Sequence, residues 1–120
     1  MTNNYTFWKS IWDNKGNSNN DNLLYLDGYE HINFDFNSKQ IVDKIINVCN
    51  ININYNVLEV GCGAGFLGKE FKSKCNYYGV DYSLGLLKKH KEKFQNNVFL
   101  CEANNLSCFK DKFFDVVFLF

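Results

Sequence analysis

The sequence predicts an α/β fold in which a parallel sheet is wrapped by crossover helices. Three observations carry this. From Asn56 onward, short apolar runs ("NVLEVG", "NYYGVD", "NVFLCEA", "FFDVVFLF") alternate with amphipathic stretches. The runs hold apolar residues at consecutive positions rather than at every second one, as in strands buried on both faces. Glycines crowd the junction between the first run and the stretch that follows, "VGCGAGFLG". Strands alternating with helices pair in parallel, through right-handed crossovers.

Ahead of this pattern, "YTFWKSIWD" (5–13) places Phe7, Trp8, Ile11 and Trp12 on one face at helical spacing. The Gly- and Asn-rich "NKGNSNNDN" (14–22) reads as a loop, and "LLYLDGYEHINF" shows no period. Asn37 or Ser38 is positioned to cap a helix through "KQIVDKIINVC", whose stripe is Ile41, Val42, Ile45, Ile46 and Cys49. "NVLEVG" is then the first strand, and "GFLGKEFKSK" a helix entered through glycines. "NYYGVD" is the second strand, and "SLGLLKKHKEKF" a helix capped by Ser83. "NVFLCEA" and "FFDVVFLF" are the third and fourth strands. The chain therefore divides into an N-terminal helical and irregular cap segment, 1–37, and a core, 38–120. The last strand runs to Phe120 with no helix after it, so the core reads as the front part of a larger domain.

At 120 residues the chain is one domain, and 46% hydrophobic and 18% aromatic residues supply a sizeable core. A net charge of zero and the absence of Arg argue against nucleic acid or an acidic membrane surface as partner. Lys88, Lys89, Lys91 and Lys93, with His90 among them, read as a solvated helix face. Five cysteines are scattered without a C-x-x-C pair, the pattern of reduced thiols in a cytoplasmic protein with no metal centre. No run approaches a membrane span, and the N-terminus has no signal-peptide core.

The glycine loop can be parsed in two ways. From Gly61 it is G-x-G-x-G (Gly61, Gly63, Gly65), and from Gly63 it is G-x-G-x-x-G (Gly63, Gly65, Gly68), the dinucleotide spacing. Glu59, two positions before Gly61, separates them. A carboxylate there faces a sulfonium and an ammonium in S-adenosyl-L-methionine but a pyrophosphate in NAD. At about 6 Å and an effective dielectric near 20, one such charge pair is worth roughly 2–3 kcal/mol, attractive for the first and repulsive for the second. Asp81 closes the second strand, where an acid accepts hydrogen bonds from both ribose hydroxyls of either cofactor. It also suits the cap of the following helix. Tyr82 is placed to cover an adenine ring, and Glu102 to take its amino group with the backbone of Ala103 or Asn104. His31, in "GYEHINF", is a candidate general base for an acceptor.

"VLEVGCGAG", "GVDYS" and "EANNLSCFKDKFFDVV", in this order and spacing, resemble motifs I to IV of the class I S-adenosylmethionine-dependent methyltransferases. The resemblance covers about residues 38–120. It implies a Rossmann-like αβα fold with strand order 3-2-1-4 for the part present, lacking the C-terminal strands. By similarity Glu59, Gly61, Gly63 and Gly65, with Cys62 between them, hold the methionine moiety, Asp81 the ribose, and Glu102 to Asn104 the adenine. Family members usually carry Asp-Ala where this chain has Glu102-Ala103, and often Leu-Pro at Leu106-Ser107. The implied activity is methylation of a small molecule, with no catalytic residue identifiable, since an acceptor base usually follows the fourth strand. Two rivals remain at this level: an NAD(P)-dependent oxidoreductase, and a truncated, non-catalytic interaction module. The apolar fourth strand also predicts self-association through a sheet edge.

Overall fold

The computed structural model describes residues 4–30 and 37–120. At its centre lies a parallel sheet of β1 (Asn56–Val60), β2 (Asn76–Asp81), β3 (Asn97–Leu100) and β4 (Val116–Leu119). The strand order is β3-β2-β1-β4. Register places Glu59 of β1 beside Gly79 of β2 and Phe118 of β4, and Asp81 beside Leu100 of β3. Because the strands are parallel, their C-terminal ends share one rim, and the order reverses between β1 and its neighbours there. Open α/β sheets bind ligands at that point.

Alternation along β1 sends Val57 and Leu58 to opposite faces. Val57 packs with Val42, Phe66, Phe71 and Tyr77. Leu58 packs with Val60 and Val80, against the half-buried Tyr78, Leu106, Phe109 and Phe114. Among the described residues five helices accompany the sheet: α1 (Asn4–Gly16), α2 (Leu23–Leu26), α3 (Ser38–Cys49), α4 (Gly68–Phe71) and α5 (Leu84–Phe94). None of the described helices is long and apolar enough to cross a membrane.

The caps follow from side-chain chemistry. Asn37 Oδ1 accepts from the Gln40 amide at 3.2 Å, while Ser38 donates its hydroxyl to Glu70 at 3.0 Å. Of the two cap candidates it is therefore Asn37 that closes α3. Ser83 Oγ receives the Leu86 amide at the start of α5, at 3.5 Å.

Four details differ from the sequence reading. First, α1 runs on to Gly16, and Phe7 and Trp8 of its expected inner face are 51% and 50% exposed. Docking of α1 uses Trp12 of that face, packed on Leu26, Ala64 and Leu86, together with close backbone contact: a Cβ on Gly16 would lie 2.5 Å from the Leu86 amide nitrogen. Second, the stretch without a period holds the short α2, capped by Asn22 Oδ1 on the Tyr25 amide at 3.2 Å. Third, the helix after the glycine loop is a single turn, α4, and the rest of that stretch is turns. Fourth, Cys49 is exposed at the end of α3 rather than part of its buried stripe. His31 lies outside the described residues.

Candidate functional site

The glycine loop leaves β1 at Val60 and bends across the end of β2, where the Gly61 and Cys62 amides both donate to the Val80 carbonyl, at 2.8 and 3.0 Å. Gly61, Gly63 and Gly65 have φ of 78°, 53° and 103°, in the region that favours glycine. Their surroundings differ. A Cβ on Gly61 would meet nothing within 4 Å, so this glycine borders open space, whereas one on Gly65 would lie 2.8 Å from the Phe94 ring. Gly65 is thus a packing requirement, and it lines none of the three cavities described below. Gly68 is another: its Cβ would sit 2.7 Å from His90 Nε2.

His90 does not belong to the solvated lysine face on which its neighbours lie. Lys88, Lys91 and Lys93 are exposed, but His90 is fully buried behind the loop. The helical period explains this, since His90 falls one turn after the buried Leu86 and Leu87. The Asn96 amide nitrogen lies 3.0 Å from His90 Nε2 and 3.0 Å from the Gly68 carbonyl that it also serves. An amide nitrogen only donates, so Nε2 accepts and Nδ1 carries the proton, which it gives to the Gly63 carbonyl at 3.1 Å. Burial pushes the imidazole down to about 4, so it stays neutral.

Three carboxylates converge on the loop from three elements. Glu59, on β1, is 4% exposed and accepts the Tyr77 hydroxyl at 2.6 Å. Burial raises its carboxyl to about 8. Asp81, at the end of β2, accepts the Gly63 amide on one oxygen and the Ser83 amide on the other, both at 2.9 Å. Burial raises it too. Asp27, just after α2, accepts the Ala64 amide at 2.7 Å and the Phe66 amide at 3.0 Å. Burial pushes it up to about 6 against the lowering pull of those two amides.

A cavity of about 240 Å³ lies among them, with Asp27, Glu59, Gly61, Cys62, Gly63 and Asp81 in its wall. A second, of about 370 Å³ and mainly apolar, adjoins it through Gly61, Asp81 and Tyr82. Its outer wall is Glu102, Ala103 and Asn104. Nine of the ten expected contact residues therefore surround two joined spaces at the rim of the sheet. Tyr5 of α1 closes the far side: its hydroxyl donates to Glu102 at 2.7 Å and its ring lies 5.6 Å from that of Tyr82. A wider cavity of about 740 Å³, open to solvent, begins beyond this contact, between α1 and the loop after β3.

Asp27 and Tyr5 line the two spaces, Tyr77 and His90 hold Glu59 and Gly63 from behind, and sequence reading misses these roles. Tyr77 is visible only as a strand residue, and its reach to Glu59 depends on Gly79. A Cβ there would lie 3.0 Å from the Tyr77 hydroxyl and 2.7 Å from Cys62 Sγ. Asp27 stands before a glycine of φ 84°, which reads locally as a turn. Nothing local indicates its contact with a loop 37 residues on. Among the described residues no group of His, Cys, Asp and Glu is arranged to hold a metal ion.

A family model described as a methyltransferase domain matches residues 58–120. No curated protein matches the sequence. Among solved structures, the YcgJ protein from Bacillus subtilis is similar over 67% of this chain and 37% of its own, at 21% identity and a TM-score of 0.60. An S-adenosylmethionine-dependent methyltransferase from Clostridium acetobutylicum matches 98% of this chain and 44% of its own, at 19% identity and a TM-score of 0.59. Coclaurine N-methyltransferase, bound to N-methylheliamine and SAH, matches 68% of this chain and 26% of its own, at 18% identity and a TM-score of 0.57. These likenesses establish the fold, Rossmann-like with order 3-2-1-4. The chain spans less than half the length of each of the three.

Proposed function

The chain belongs to the methyltransferase domain family, and from that premise we propose that it binds S-adenosyl-L-methionine in the two joined cavities and serves methyl transfer to a small-molecule acceptor. The observation that carries this reading is the acidic wall of the inner cavity. Asp27, Glu59 and Asp81 all face it, and among the described residues no lysine lines it. A cation entering there favours the ionised form of these buried acids, whereas an anion disfavours it.

The cofactor fits the residues present. Glu59 lies where a sulfonium or ammonium needs a counter-charge, and Gly61 leaves its side of the loop open to a close approach. Asp81 accepts one backbone amide on each oxygen, and each carboxylate oxygen retains a lone pair for a ribose hydroxyl. The apolar second cavity, with Tyr82 in its wall and Glu102 at its rim, suits an adenine ring.

When bound, S-adenosylmethionine supplies a methyl group already activated on sulfur. The chain's own contribution is then alignment and the exclusion of water. His90 and Asp81 fix the Gly63 peptide from both ends, through its carbonyl and its amide. That clamp sets the loop before any ligand arrives. Tyr5 and Tyr82 cover the nucleoside side, and Glu59 supplies the counter-charge. The small-molecule acceptor is part of the proposal, as coclaurine N-methyltransferase carries N-methylheliamine in the same fold.

The dinucleotide reading through Gly63, Gly65 and Gly68 is weaker, because Gly65 and Gly68 are explained by packing against Phe94 and His90. Calorimetric titration with S-adenosylhomocysteine and with NADH tests the assignment. Binding of the first without the second is expected. Binding of NADH alone replaces the methyltransferase reading with the oxidoreductase one, and binding of neither leaves an interaction module.

A further inference from the structure

A glycine-rich loop at the end of a first β-strand presents free backbone amides, and those amides are what a pyrophosphate uses. Here two of them are already taken. The Ala64 amide donates to one oxygen of Asp27 and the Phe66 amide to the other, at 2.7 and 3.0 Å. The arrangement is two-pronged, as an anionic ligand's would be, but the anion comes from the chain itself.

Several features hold that carboxylate in place. The Asp27 amide donates to the Leu23 carbonyl at 3.0 Å, closing α2. Leu26, its neighbour, is 1% exposed and packs on Ala64 and Leu86. Gly28, with φ of 84°, turns the chain away beneath Trp12, whose ring a Cβ at that position would approach to 2.8 Å. On the loop side, a Cβ on Gly63 would collide with the Asp27 carboxylate. The glycine that lets the loop turn therefore also leaves room for the acid.

We propose that Asp27 sets the cofactor class of this site: it fills from within the chain the loop amides of Ala64 and Phe66 that a pyrophosphate would take, so that the loop accepts a nucleoside ligand without a pyrophosphate and refuses one that carries it. This rests on the reading of the inner cavity as an S-adenosylmethionine site, and it extends that reading to the N-terminal segment. Asp27 is a specificity-determining and positioning residue, since its bonds run to the loop. Asp81 alone would also repel an anion, but it does not occupy these amides.

The test uses the whole chain, wild type and Asp27→Asn, an isosteric change that keeps one acceptor and removes the charge. S-Adenosylhomocysteine and ADP-ribose, which share a nucleoside but differ in the pyrophosphate, are titrated by calorimetry. Inorganic pyrophosphate is titrated while the Ala64 and Phe66 amide resonances are followed. In the wild type we expect S-adenosylhomocysteine to bind at least 100-fold more tightly than ADP-ribose, and pyrophosphate to leave both resonances unmoved. In Asp27→Asn we expect the ratio to shrink at least tenfold and the Ala64 and Phe66 amides to exchange with solvent at least tenfold faster. An unchanged ratio in a folded variant overturns the proposal, as does a pyrophosphate shift of those resonances in the wild type, which needs no variant at all. If the wild type binds neither nucleoside ligand, yet pyrophosphate moves the two resonances only in Asp27→Asn, the cofactor reading fails and the Asp27 assignment stands.

Discussion

Glu59 is a carboxyl whose surroundings favour its neutral form: burial and the nearby acids Asp27 and Asp81 outweigh the hydrogen bond from the Tyr77 hydroxyl, which favours the carboxylate. Its folded value of about 8 lies above the ordinary 4.5, so the folded chain holds a proton there that the unfolded chain releases. The stabilising contribution is complete below about pH 4.5 and is lost as pH rises through 8, with a slope for one group of at most about 1.4 kcal/mol per pH unit. The melting temperature should therefore fall between pH 5 and 8, and fall less steeply in Glu59→Gln; parallel slopes would mean that Glu59 ionises freely in the fold. A cationic ligand favours the carboxylate, so S-adenosylmethionine binding at pH 7 should release up to one proton. Calorimetry in buffers of different ionisation enthalpy reads this number, and Glu59→Gln should lower it. Asp81→Ala removes an acceptor from the Gly63 and Ser83 amides as well as from the proposed ribose. We expect it to weaken S-adenosylhomocysteine binding by about 2 kcal/mol or more. Unchanged affinity in a folded variant would reduce Asp81 to a cap.

The contact of α1 with α5 depends on two glycines: a Cβ on Gly16 would lie 2.5 Å from Leu86 N, and one on Gly85 would lie 2.7 Å from the Gly16 carbonyl carbon. Backbone on both sides leaves no flexible side chain to yield, so Gly85→Ala must separate the helices. We expect a loss of about 1–3 kcal/mol, together with weaker S-adenosylhomocysteine binding, because α1 carries Tyr5 to Glu102. Melting and titration of the same variant check both, and a loss of stability with affinity intact would detach α1 from the site. This contact also shows where sequence reading stops. The strands were legible because "NVLEVG" and "NYYGVD" are apolar at consecutive positions, and their ends carry Glu59 and Asp81 to one rim by parallel register alone. Helix α1 was legible as a helix but only partly in its docking, since burial follows Trp12 and Gly16 rather than Phe7 and Trp8 at the other end of the same face. His90 looked like part of a charged run because four lysines surround it in sequence, and only the turn after Leu86 and Leu87 turns it inward. Asp27 and Tyr5 had no local signal, because their partners, Ala64, Phe66 and Glu102, are remote in the chain.

At the scale of the molecule, β4 pairs with β1 on one side and, among the described residues, with no strand on the other. Val117 and Leu119 on this strand are 51% and 72% exposed, and on the opposite edge Phe99 and Leu100 of β3 are 42% and 58% exposed. A flat apolar edge with unpaired backbone groups is a template for another strand. Burying two such side chains is worth roughly 3–6 kcal/mol, a large share of the stability of a small domain. The isolated 120-residue chain should therefore self-associate through β4. Leu119 lines the second cavity, so a change there would disturb the site as well. Val117 lines none of the cavities described above, and Val117→Lys places a charge on the edge alone. Sedimentation across micromolar concentrations should show a mass that rises with concentration for the wild type and stays at the monomer value for Val117→Lys, with S-adenosylhomocysteine affinity equal in the two. A wild-type chain that remains monomeric throughout this range would show that the exposed edge is tolerated in water, and association that persists in Val117→Lys would move the contact away from β4.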